Sequence, residues 1–333
     1  MTAVSLKGLW GRKLRTALTA LAIVLGVSMI SGTYVLTDTI TAAFTNIVDH
    51  SFQNSDAVIS GKVAFKNDNS DTAETPAFPA SVLVKVRQLP DVAAASGEVG
   101  GEAQLIGRDG KVISTGGGGS IASSVDPPND AGFNPLKLAQ GRWPVGARQI
   151  AIDKHTADTK QFAVGDTIGV ATDQGARRFE ITGIATYAES SSIGSATIAI
   201  FDIPTAQKLF SKVGKLDGIQ LAAKDGVAPE KLVSEIRPLL PPTAKVKTSA
   251  AETQEAVDDV NSSLGMIQKF LLGFAGIALF VGAFVIANTL SITIAQRVRE
   301  FATLRTIGGS RRQVLRAVML EAFVVGAAAS IVG

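Results

Sequence analysis

The chain has 333 residues, and 18% of them are charged, against roughly 25% in a typical soluble domain. It contains no Cys and only two His, His50 and His155, which excludes disulfide frameworks, thiolate chemistry and histidine-rich metal sites. A net charge of +3 at pH 7 is small, and its uneven placement along the chain points to a membrane rather than to nucleic acid.

Residues 1–15 carry Lys7, Arg12, Lys13 and Arg15 with no acid. They lead into Thr16–Leu36, which has no charged residue and at 1.5 Å rise per residue is long enough to span hydrocarbon. The alternative is a cleaved signal peptide, whose apolar region is usually about 7–15 residues and is followed by an A-x-A site. This run is longer and no such site follows, so the sequence favours a retained anchor. Beyond it, Leu36, Ile40, Ala43 or Phe44, and Ile47 continue a helical stripe outward.

Residues 37–269 hold 22 basic and 27 acidic residues. Strands are expected at Asp56–Phe65, Gln149–Ile152, Thr167–Ala171, Phe179–Ile184, Ala196–Phe201 and Leu216–Ala222. A hairpin is expected over Gln104–Ser114, around Asp109–Gly110. Helices are expected at Pro79–Gln88, Thr205–Lys212 and Pro229–Leu239, and the mixture reads as α+β. Gly116–Pro128 reads as a surface loop; its four glycines lack the Gly-Lys-Ser/Thr of a phosphate loop. Asp153 and His155 read as solvated residues beside a strand end. No G-x-S-x-G or H-E-x-x-H motif occurs, and adjacent Asp258 and Asp259 would point about 100° apart on a helix. The sequence therefore calls for no catalytic residue, no metal and no cofactor.

Ala250–Ile294 reads as one helix, since no Pro interrupts it, although Gly265 and Ser262–Ser263 weaken it locally. In it Val257, Val260, Leu264, Ile267 and Leu271 are spaced 3, 4, 3, 4, an a/d seam that runs into the apolar residues Phe270–Ile294. This seam and the stripe after the first span predict two helices packed as a stalk, or each packed separately on the outer domain. Asn288, Gly273, Gly276, Gly282 and Ala283 are expected to serve helix packing.

Residues 295–316 carry six Arg and one acid, Glu300. With the basic first 15 residues, this places both flanks in the cytoplasm and 37–269 outside. Val298, Phe301, Leu304 and Ile307 give a short apolar face, Gly308–Gly309 a stop, and Ser310 with Gln313 a capping box for the next helix. Such a hairpin fits an interfacial helix with its Arg on lipid phosphates, or equally a docking knob for a cytoplasmic partner. Ala317–Gly333 begins a third apolar run with Glu321 about one turn in, expected to be structural rather than a proton relay.

The segments RKLRTALTALAIVLGV, LAQGRWPVGARQIAIDKHTADTKQFAVGDTIGV and QRVREFATLRTIGGSRRQVLRAVMLEA, in that order, resemble the FtsX-like or MacB-like permeases of ABC transporters. The resemblance covers nearly the whole chain. It implies a multi-pass protein of the cell membrane, in contact with its lipid, with an extracytoplasmic α+β domain on a helical stalk. That domain would have a porter-like lobe with a second lobe inserted at about 113–213.

It also implies a non-catalytic subunit that pairs with a separate cytoplasmic ATPase and works as a dimer or a double-length pseudo-dimer. Arg297, Glu300, Phe301, Leu304, Arg305, Ile307 and Gly308 would contact that ATPase, and the continuous second helix would carry its movement outward, a mechanotransmission device. Such permeases have at least four spans, so the chain is expected to be a fragment. Two functions fit the resemblance: export or extraction of a lipid, peptide or lipoprotein, or actuation of an extracellular partner such as a cell-wall hydrolase. A sensory receptor is a third reading, and it would require an output domain.

Overall fold

The computed structural model describes residues 13–62, 75–113, 119–127, 132–188, 196–296, 298, 302 and 311–333. The chain divides into two units, a helical one (Met1–Ala43 with Asp259–Gly333) and an outer one (Phe44–Asp258).

In chain order the elements begin with helix α1 (Lys13–Ser51), strand β1 (Ala57–Gly61), the short β2 (Phe78–Pro79), α2 (Ser81–Arg87) and β3 (Val92–Glu98). Then come β4 (Gln104–Ile106), β5 (Ser120–Val125), β6 (Leu136–Gly141), β7 (Gln149–Asp153), α3 (Lys154–Lys160), β8 (Thr167–Thr172), β9 (Gly175–Tyr187), β10 (Thr197–Asp202) and α4 (Ile203–Leu209). The rest is β11 (Lys215–Leu216), β12 (Gly218–Ala223), α5 (Pro229–Ile236), a 3-10 turn (Arg237–Leu239), β13 (Ala244–Thr248), α6 (Ser249–Gln296) and α7 (Arg311–Val332).

The outer unit is mixed α+β and is built on two main sheets. The smaller runs β13-β1-β12-β3 with every neighbouring pair antiparallel. Its connections β1-α2-β3 and β12-α5-β13 each skip one strand, so two split βαβ units interlock. α2 begins at Ser81, just after Pro79, and turns Val82, Leu83 and Val86 inward. α5 starts with Pro229, whose missing N–H costs nothing at that position, and buries Leu232, Val233 and Ile236.

The larger sheet runs β4-β8-β9-β7-β10-β5, with β6 also on β9. It enters the chain between β3 and β12, so one lobe interrupts the other. β7 lies parallel to β9 and β10 parallel to β5, while the remaining pairs are antiparallel. Its central strands are buried on both faces, which accounts for their continuous apolar runs. Ile150, Ile152, Ala199 and Phe201 join the main core, where Phe201 meets Phe179 and Phe210 edge-on at 5.2 and 6.5 Å. Ala151, Ile198 and Ile200 alternate onto the opposite face, with Val125, Leu136, Ala185 and Tyr187.

Two expectations are corrected here, and a third holds in shortened form. Gly116–Pro128 is not a loop throughout, because Ser120–Val125 is an edge strand with Ala122 and Val125 buried; its Ser-rich sequence hid it. The hairpin at Asp109–Gly110 is present but short: the Gly107 N–H donates to the Lys111 carbonyl and the Ile113 N–H to the Leu105 carbonyl, both at 2.8 Å, about the bridge Ile106 to Val112, while the other edge of β4 pairs with β8. Asp153 is not solvated: it is 2% exposed, whereas His155 is exposed. β3, β6 and β13 were not anticipated. β13 is short and carries Lys at alternate positions, and β3 is nearly all Ala, Ser and Gly, so neither reads as a strand from composition.

In the helical unit, α1 and α6 each contain a stretch long and apolar enough to cross a membrane, by length and composition. α6 is unbroken through Ser262, Ser263 and Gly265.

Candidate functional site

Within the helical unit, α1 and α6 meet where both sequences are small. A Cβ on Gly26 would lie 2.5 Å from Leu279 Cδ2, and one on Gly282 would lie 3.6 Å from Ala22 Cβ. Small residues of this kind let helix backbones approach closely where no hydrophobic gradient drives them together. Farther along the pair, Thr41 Oγ1 donates to Asn261 Oδ1 at 3.1 Å. α7 reaches the same helix: Ser28 Oγ donates to the Gly333 carbonyl at 3.1 Å.

Of the seam positions, Val257, Val260, Leu264 and Leu271 are half-buried, while Ile267 is 55% exposed. The stripe on α1 is likewise partial, with Ile40 and Ile47 half-buried and Leu36 and Phe44 exposed. Of the small residues assigned to packing, Gly282 faces α1, whereas a Cβ on Gly273 or Gly276 would meet open space. The expected ATPase-coupling residues Arg297, Glu300, Phe301, Leu304, Arg305, Ile307 and Gly308 lie outside the described residues. So does the side chain of Glu321.

In the outer unit, the end of α1 is tied to both lobes, leading into β1 of the smaller sheet and bonding to the larger, and the start of α6 is tied to the smaller. Tyr187, at the end of β9 in the larger sheet, donates from its hydroxyl to the Ile47 carbonyl at 2.9 Å and shares a hydrogen bond with Ser51 Oγ at 2.8 Å. Burial raises the Tyr187 pKa, and the bond to Ser51 partly offsets this, so the phenol stays protonated and available as a donor. Asn54 Nδ2 adds a bond to the Gly132 carbonyl at 2.6 Å.

The first turn of α6 is held by the smaller sheet and by the residues just after α1, where Ser249 Oγ donates to Ser55 Oγ at 3.1 Å. The Ser249 N–H donates to the Asp56 carbonyl at 3.0 Å, and Ser60 Oγ donates to Glu252 Oε1 at 3.3 Å. Asp56 then accepts the Ala223 N–H on its carboxylate at 2.8 Å, binding this corner to β12.

A cavity of about 230 Å³ opens between the edge strands β3 and β5, with Ile47 and Ser51 of α1 forming part of its wall. Its apolar lining includes Ile121, Phe133, Leu136, Tyr187 and Ile198, and its polar lining includes Glu98, Asp126 and Gln220. Glu98 is solvent-exposed but is packed over Gly218, where a Cβ would lie 2.3 Å from its Oε1. Although the residue reaches solvent, the protein packed around its carboxylate partly desolvates it and raises its pKa, the nearby Asp217 charge adds to the rise, and a hydrogen bond from Gln220 opposes both. Asp217 is itself engaged, accepting on Oδ2 from Lys212 Nζ at 2.8 Å and from the Gly100 N–H at 2.9 Å. These bonds brace the two strands of chain that connect the lobes. Sequence reading missed this cavity, because its residues come from seven separate stretches and none forms a motif.

Among the described residues, no group of three or more His, Asp or Glu stands close enough to hold a metal ion.

The MacB-like periplasmic core domain family matches residues 16–239, and the FtsX-like permease C-terminal family matches residues 272–333. An uncharacterized ABC transporter permease protein of Mycobacterium tuberculosis is 33% identical over 178 residues, covering 53% of this chain and 20% of that protein. The macrolide export ATP-binding/permease protein MacB of Rhodopseudomonas palustris is 25% identical over 198 residues, covering 57% of this chain and 30% of that protein. The periplasmic region of MacB from Actinobacillus actinomycetemcomitans superposes with a TM-score of 0.46 and 12% identity, over 62% of this chain and 94% of that one. The chain therefore spans less than a third of the length of either full-length relative. With one family covering α1 and most of the outer unit and the other the helices that follow, the chain belongs to the MacB-like and FtsX-like permeases of ABC transporters, membrane proteins with an extracytoplasmic domain.

Proposed function

We propose that this chain is a multi-pass permease subunit of the mechanotransmission type. It does no ATP chemistry itself. A separate cytoplasmic ATPase docks on Arg297, Glu300, Phe301, Leu304, Arg305, Ile307 and Gly308, and the permease works as a dimer or a double-length pseudo-dimer. Movement enters there, passes along α6 and α1, and reaches the outer unit, which exports or extracts a lipid, peptide or lipoprotein. The basic residues flanking the apolar runs support this orientation, with the net-acidic middle outside.

The observation that carries the reading is that both helices are built into the outer unit. α1 is held by Tyr187 of the larger sheet and after five residues enters β1, while α6 follows β13 directly and bonds Asp56 and Ser60. Because β1 and β13 are paired, movement of either helix bears directly on the same sheet.

The docking half of the proposal is tested with Phe301→Asp and Arg305→Glu. Both variants should insert in the membrane as the native chain does and lose co-purification of the ATPase. Retention of the ATPase by both would place the docking site elsewhere.

A further inference from the structure

The cavity between β3 and β5 has an imbalance of hydrogen-bonding groups that its own residues do not resolve. Among the described residues that line it there is no Lys, Arg or His. Of its two carboxylates, Asp126 is paired with Arg87 at 3.1 Å. Glu98 has no cationic partner among the described residues, since the one nearby, Lys212, is turned to Asp217 and the Gly100 carbonyl.

Gln220 lines the same cavity, is 8% exposed and bonds Glu98 through its amide. That leaves its Oε1 buried without a donor. A buried acceptor left unmet costs about 1–3 kcal/mol, so native structures rarely keep one without a use. Two acceptors thus stand side by side at one end of a cavity whose other walls are Phe133, Leu136, Tyr187 and Ile198.

The missing partner must supply N–H or O–H donors and preferably positive charge, which excludes anions. An inorganic cation would need several oxygen ligands in a compact shell, and the described residues offer no such group. The apolar walls require that the donor carry hydrocarbon. At about 230 Å³ the cavity lies below the roughly 300–1,000 Å³ of drug-sized sites, so the ligand, or the part of it that enters, is small.

We propose that this cavity is a binding site for a primary or secondary amine bearing a short apolar group. Its ammonium sits between Glu98 and Gln220 Oε1, and its hydrocarbon lies against Phe133, Leu136 and Tyr187. The site is independent of the ATPase docking reading, because its test measures binding without transport.

The test uses the full chain in lipid nanodiscs, with empty nanodiscs subtracted, and isothermal titration of three probes of similar shape: phenethylamine, phenethyl alcohol and phenylpropionate. The amine should bind saturably at one site per chain, about tenfold or more tighter than the alcohol, as expected for a hydrogen bond to a charged group. The anion should not bind. Glu98→Gln should erase the preference of amine over alcohol, and Gln220→Leu should weaken the amine several-fold. Ser123→Phe, which fills the cavity without altering either acceptor, should abolish binding of both. The proposal is overturned if the amine binds no better than the alcohol, if its heat equals that of empty nanodiscs, or if Ser123→Phe leaves binding intact.

Discussion

Gly26→Val tests the contact between α1 and α6. The Cβ it adds would stand 2.5 Å from Leu279 Cδ2 and 3.1 Å from Leu279 Cγ. Carbon atoms are at their optimum about 3.5–4.0 Å apart, so the leucine side chain or the helix must withdraw by about 1 Å. Overpacking of this size typically costs 1–3 kcal/mol, and about 2 kcal/mol corresponds to roughly 30-fold in the balance between packed and separated helices.

The native chain contains no Cys, so a Thr41→Cys, Asn261→Cys pair reports on the contact without background. In native membranes a short bis-thiol-reactive linker should join these two positions rapidly. Adding Gly26→Val should slow the reaction on the order of tenfold or more. Adding Leu279→Ala as well, which removes the obstructing methyls, should restore most of the rate. Equal linking with and without Gly26→Val would refute the close approach. A slow rate that Leu279→Ala fails to rescue would show that valine acts on something other than this contact.

Two further variants probe the outer unit. Asp153 accepts the Thr156 N–H at 2.7 Å as the cap of α3 and the Ile198 N–H at 2.9 Å, so Asp153→Ala leaves two buried donors unmet. From the loss of a cap and of a charge-assisted bond we expect about 3 kcal/mol less stability, read as a lowered urea midpoint with unchanged slope; a loss under about 1 kcal/mol would contradict the assigned bonds. Glu98 has a raised pKa in the folded chain, so the folded state binds its proton more tightly than the unfolded state does. Its contribution is therefore favourable at low pH and declines as the pH rises from the ordinary glutamate range through the folded value. Glu98→Gln should flatten that part of the profile of melting temperature against pH, and an unchanged slope would sink the assignment.

The legible parts of this molecule were those written in continuous sequence. Uncharged runs, flanking arginines and a proline-free stretch fixed α1 and α6, because a helix in lipid must satisfy its backbone internally and so declares itself by length and hydropathy. The two-faced strands β7 and β10 were equally plain, since QIAI and TIAIF have no polar side to hide. β5 was not, because its serines serve the lobe junction: Ser124 Oγ accepts the Val99 N–H at 2.8 Å, a role that only the distant β3 defines. Asp153 looked solvated for a similar reason, its second bond coming from Ile198 on another strand. The cavity was illegible for the strongest form of that reason. Glu98, Gln220 and Tyr187 share no spacing, and only the insertion of one lobe into the other brings them to one place.

The pairing of β1 has a consequence for how the protein is made. Its partners are β12, where Ala57 faces Leu221, and β13, where Ala57 faces Thr248. At about 5–20 residues per second, the first of these follows roughly 160 residues and on the order of 10–30 s later during synthesis. The earliest strand exported past the bilayer must therefore wait, both edges unpaired, while an entire lobe is translated and translocated behind it. Until β12 and β13 arrive, mispairing of Ala57–Gly61 is a hazard of synthesis that the finished fold no longer carries.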